Sequence, residues 1–115
     1  MGSVILVDKE IKVDLSGCET IKSMLASGDI GIKAIMSLTE EEVHCAFSKA
    51  KSTDDIQYLL SLLVGENGRW GIFYTHLQYA HTLPDGIRES AREKLSALIN
   101  AARKAAEERG KNISD

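Results

Sequence analysis

Few side chains in this sequence have the types and spacing for chemistry. His44 and Cys45 are adjacent. A Cys–His nucleophile pair needs both side chains within hydrogen-bond reach, and neighbours on a helix point about 100° apart. His44 is therefore expected on a helix surface and Cys45 at a core edge. His76 and His81 lie five residues apart, about 140° around a helix. Metal-binding histidines on one helix use i, i+4 spacing, and no carboxylate stands in register, so no metal site is expected. The acids Glu40, Glu41, Glu42, Asp54 and Asp55 suit helix starts. Catalytic carboxylate pairs need a pocket that drives their pKa values apart, and no pattern here implies one. Gly65-Glu66-Asn67-Gly68 lacks the strand, spacing and lysine of a phosphate loop. There is no G-x-S-x-G, G-x-G-x-x-G or C-x-x-C. The expectation is a chain with no catalytic residues and no cofactor.

Two groups of residues carry binding chemistry instead. The stretch Val64 to His81 holds Trp70, Phe73, Tyr74 and Tyr79, along with His76 and His81. On a helical wheel over 70–81, Trp70, Phe73, Tyr74, Leu77 and Ala80 share the i, i+3, i+4, i+7 arc of a buried face. The opposite arc carries Ile72, His76 and Tyr79. A helix apolar on both sides is either central in its domain or partly sunk in a partner. Aromatic residues and arginine anchor interfaces, so Trp70, Ile72, His76 and Tyr79, with Tyr58 on the preceding helix, are the expected protein-contact residues. The second group is Arg69, Arg88, Arg92 and Arg103. A ridge of these beside Tyr and Trp suits a nucleic-acid backbone with stacked bases; pairing with Glu89, Glu93 and Glu107 is the plainer use.

The positioning elements follow from local signals. Val4–Val7 favours strand and Ile11–Leu15 alternates apolar and polar, with Asp8-Lys9-Glu10 as the turn, so a hairpin is expected over Val4–Leu15. Ser16-Gly17-Cys18-Glu19 has capping-box spacing, predicting a helix over 17–26 that buries Cys18, Ile21 and Leu25 and stops at Gly28. A short helix over 30–37 takes Asp29 as its cap. Thr39 and Ser52 open helices over 39–51 and 52–63. Asn67-Gly68 is also a type I′ hairpin signal, which competes with a helix, glycine-rich turn, helix reading of 62–74; the second is preferred because Gly65 sits at a C-cap position. After Pro84 a long helix runs from 85 to 109, ended by Gly110, with 110–115 as a loose tail.

The whole is expected to be one mainly α domain of 115 residues: a bundle of about five helices over 17–109 with the short N-terminal β-hairpin. No apolar run approaches the ~20 residues of a membrane span and no signal peptide pattern opens the chain, so a cytoplasmic protein is expected. Cys18 and Cys45 make neither a framework nor a zinc set, and are expected as free buried thiols. The Asn112-Ile113-Ser114 sequon has no secretory context. Charge is uneven: residues 1–68 carry 6 lysines and 11 acids, 6 − 11 = −5; residues 69–115 carry 8 basic residues and 6 acids, 8 − 6 = +2. Only the second part would meet phosphate comfortably. These features point first to a small helical subunit, adaptor or inhibitor that acts through a protein partner or its own copies. A nucleoprotein subunit using the arginines comes second. A (winged) helix-turn-helix regulator comes third, disfavoured by Asp54 and Asp55 at the start of its reading helix.

Overall fold

The computed structural model describes residues 13–27, 31–66 and 69–113, with backbone alone at residues 26, 27, 66, 69 and 70. The described chain is mainly helical. Its elements are α1 (Glu19–Ser27), α2 (Ile32–Ser37), α3 (Glu40–Ser48), α4 (Thr53–Leu63), β1 (Gly65–Glu66), β2 (Arg69–Trp70), α5 (Ile72–Tyr79) with a 3₁₀ turn (Ala80–Thr82), and α6 (Asp85–Asn112). Among the described residues no helix is long and apolar enough to cross a membrane.

The helix starts reflect their caps. The Thr39 hydroxyl accepts from the Glu42 amide at 3.1 Å, and the Ser52 hydroxyl from the Asp55 amide at 3.2 Å, each satisfying a donor the first turn leaves open. The first expected box behaves differently. Glu19 reaches back to the Gly17 amide at 3.4 Å, but the Ser16 hydroxyl donates to Asp14 instead of capping, and the helix begins two residues late. Asp14 also accepts the Ser16 amide, turning the chain there. The hairpin expected over Val4–Leu15 gains no support. Residues 4–12 lie outside the described residues, and Val13 to Leu15 join no ladder. Val13 and Leu15 are buried against the helices. The loop expected at Gly28 and the cap at Asp29 also lie outside the described residues; Gly31 occupies the N-cap of α2 without a side-chain bond.

The spine is α6, about 42 Å of helix at 1.5 Å per residue, in a molecule 46 × 38 × 29 Å. α3, α5 and α4 all pack on it. Its buried face is small: Ala91, Leu95, Leu98, Ile99, Ala101, Ala102, Ala105 and Ala106, and alanines let neighbouring helices approach closely. Facing them are Val43, Ala46 and Phe47 of α3, Ile56, Leu59 and Leu63 of α4, and Phe73 of α5. At the far end of α3, Arg109 donates two hydrogen bonds to the Ala50 carbonyl, at 2.9 and 2.8 Å, and so satisfies an acceptor beyond the helix end. α6 also runs three residues past the expected stop, through Gly110 to Asn112, with Ile113 half-buried against the core.

Three further expectations are corrected. Trp70 does not open a helix: it pairs in β2 opposite Gly65, as Arg69 does opposite Glu66, and the Gly71 amide donates to the Val64 carbonyl at 2.9 Å. β1 and β2 pair antiparallel on either side of residues 67–68, which lie outside the described residues, and the helix begins after them at Ile72. The aromatic helix is not the centre of the domain; α6 is. The cysteines are not free thiols: Cys18, before α1, and Cys45, within α3, form a disulfide with Cα atoms 6.0 Å apart.

Candidate functional site

α5 has two unlike sides. Phe73 is fully buried, and Tyr74 and Leu77 are half-buried beside it, so this arc faces α6. The other arc, Ile72, Thr75, His76 and Tyr79, spans about two turns at i, i+3, i+4 and i+7. Ile72 and His76 are half-buried, Thr75 is exposed, and Tyr79 is 57 % exposed. Tyr79 and Ile87 are the two large apolar side chains left exposed among the described residues.

Gly31 and Ile32, at the start of α2, stand opposite this arc. With Thr75, His76 and Tyr79 they line a cleft of about 370 Å³. The glycine leaves that wall low and Ile32 makes it apolar. His76 Nδ1 lies 2.9 Å from the Ile72 carbonyl oxygen one turn back. A carbonyl only accepts, so Nδ1 carries the proton in this contact. The ring is held along its own helix and forms part of the cleft wall. An apolar lining with a few polar groups suits the binding of a side chain or a short segment.

Of the expected contact residues, the fold brings His76 and Tyr79 together in this cleft. Ile72 is on the same arc but packs partly on the core, and Tyr58 of α4 is half-buried against the core elsewhere. The side chains of Trp70 and Arg69 lie outside the described residues. The sequence pattern gave no sign of Gly31 and Ile32, since α2 is short and its glycine reads as a helix breaker.

The other arginines do not gather. Arg88 is ion-paired with Asp85 one turn away, at the start of α6. Arg92 is exposed in a shallow strip with Glu89, Glu93, Ser96 and Asn100. Arg103, about 16 Å further along the helix, donates to the Tyr74 hydroxyl at 3.0 Å and stands 5.8 Å over its ring. That contact ties α6 to α5. Of the expected chemistry-bearing residues, His44 is half-buried on α3 and His81 is exposed in the 3₁₀ turn. Among the described residues no three metal-ligating side chains cluster.

Comparison with protein-family models, with curated proteins and with solved structures finds no match for this chain.

Proposed function

We propose that this chain is a non-enzymatic helical interaction domain that seats a protein partner on the outer arc of α5. The observation that carries the reading is Tyr79, more than half exposed at the wall of an apolar cleft. An exposed aromatic beside a pocket is the usual form of an interface anchor, which gains energy when a partner excludes water around it. Thr75 and His76 supply polar groups at the rim. Ile32 supplies the apolar floor on the opposite side.

The test uses charge. Tyr79→Asp and Thr75→Asp place carboxylates at exposed positions that support no core packing. Both variants should melt within about 0.5 kcal/mol of the parent and lose the partner retained from native lysate. A partner held equally by parent and variants would reject the α5 surface. Sedimentation of the purified chain then separates the two kinds of partner: a dimer broken by Tyr79→Asp identifies a second copy, and a monomer identifies another protein. Retention lost to nuclease and to Arg92→Glu, but not to Tyr79→Asp, would replace this reading with the nucleoprotein one.

A further inference from the structure

The segment from Val13 to Ser27 is joined to the rest of the domain in a distinctive way. α1 packs chiefly on α3. Its apolar contribution is Val13, Leu15, Ile21, Met24 and Leu25. The Ile21 amide adds a long-range hydrogen bond to Glu42 at 3.3 Å. The covalent link is the Cys18–Cys45 disulfide, which joins the start of α1 to the middle of α3 across 27 positions. α3, α4 and α5 pack on α6, and the segment's buried side chains join the edge of the same core from the α3 side.

We propose that Cys18–Cys45 is a reducible clasp, opened by a dithiol reductant, that fixes α1 on a domain able to stay folded without it. The two sulfurs are unequal in access. Cys18 is fully buried, whereas Cys45 is half-buried, so Cys45 is the more accessible of the two to an attacking thiolate. In the first step the reductant thiolate bonds to the Cys45 sulfur, the Cys18–Cys45 bond breaks, and Cys18 leaves as a thiolate that takes up a proton. The second thiol of the reductant, as its thiolate, then attacks the mixed disulfide, releasing Cys45 as a thiolate that is protonated in turn. Two electrons and two protons have passed to the protein and the reductant has become a disulfide. Local charge works both ways on the departing Cys18 thiolate. The α1 N-terminus and the Lys49 ammonium, near Gly17, favour it; burial, Asp14 and Glu19 oppose it. Access to Cys45 is therefore the controlling factor. With the clasp open, α1 is held by non-covalent contacts, its apolar side chains and the Ile21–Glu42 bond among them. This links the state of α1 to the redox compartment, since the closed form belongs to an oxidising one.

Hydrogen exchange on the purified chain tests this, with and without a dithiol reductant, after a thiol count on denatured protein. The expected result is no free thiol before reduction and two after it. On reduction, amides of residues 19–27 exchange about tenfold faster or more, while those of 53–63 and 85–112 keep their protection. The Cys18→Ser/Cys45→Ser variant should show the reduced pattern and ignore the reductant. Two free thiols in protein purified under oxidising conditions would overturn the proposal. So would equal protection of 19–27 in both forms, and so would loss of protection throughout the chain, which marks a staple of the whole fold.

Discussion

Asp14 governs the entry of the chain into the helical domain. It accepts both the hydroxyl and the amide of Ser16, at 2.7 and 3.1 Å, and a turn closed by a side chain competes with strand pairing. Those bonds, the hydroxyl first and the amide second, hold the Asp14 carboxyl below the ordinary carboxylate range; Lys22 and Lys49 add to this and slight desolvation opposes it. A carboxyl lowered by folding contributes stability above its unfolded pKa and loses that contribution as pH falls through its folded value. The group is exposed, so the effect on stability is small. An NMR titration should find the Asp14 midpoint below that of an ordinary aspartate, and Ser16→Ala should move it back up. An unshifted midpoint in the parent would remove this account of the turn. The same scale shows what single side chains reveal in advance. Thr39 and Ser52 announce their bonds by type and spacing. The Arg109 bonds to Ala50 have no such signal, because they join residues 59 positions apart.

Among the elements, two glycines separate local preference from tertiary contact. Gly71 has ordinary φ, −79°, and its backbone is not what requires glycine. A Cβ there would stand 2.5 Å from the Leu63 carbonyl carbon and 2.6 Å from the Val64 nitrogen, both backbone atoms that cannot swing away. Gly71→Ala should cost about 2 kcal/mol or more, read from a denaturant melt; a cost near zero would mean that α5 can pivot off α4. Gly110 has open space around it within α6, so Gly110→Ala should stabilise by about 0.5–1 kcal/mol, and a loss would show that the helix end needs the smaller residue. These glycines also explain where the sequence misled. Trp70, Phe73 and Tyr74 have helical spacing, yet the pairing with Gly65 and the close contact at Gly71 take Trp70 into a strand. Gly110 reads as a stop, but Ile113 packs on the core and draws the helix past it. The outer arc of α5 was legible, since Ile72, His76 and Tyr79 recur at helical spacing. The α2 half of the cleft was not, because which helices meet is settled by packing.

The whole molecule is a set of short helices on one long one, tied by a covalent link the sequence did not announce. Composition and periodicity indicated a helical domain but not its centre, since an alanine-rich face looks weakly apolar while permitting the closest packing. A pair of cysteines separated by 27 positions has no local signature at all. Cys18→Ser/Cys45→Ser should free α1 and leave the denaturation midpoint of the helices packed on α6 near that of the parent; a large drop in that midpoint would mean that the link secures the whole fold. The central claim concerns the outer surface of that domain, and photocrosslinking addresses it most directly. A benzophenone amino acid would replace Tyr79 in one sample and Arg92, on the exposed polar face of α6, in another, with irradiation in native lysate. The account predicts one discrete, nuclease-resistant protein adduct from position 79 and none from position 92. Adducts from position 92 alone, or none from 79 while a partner still co-purifies, would contradict it.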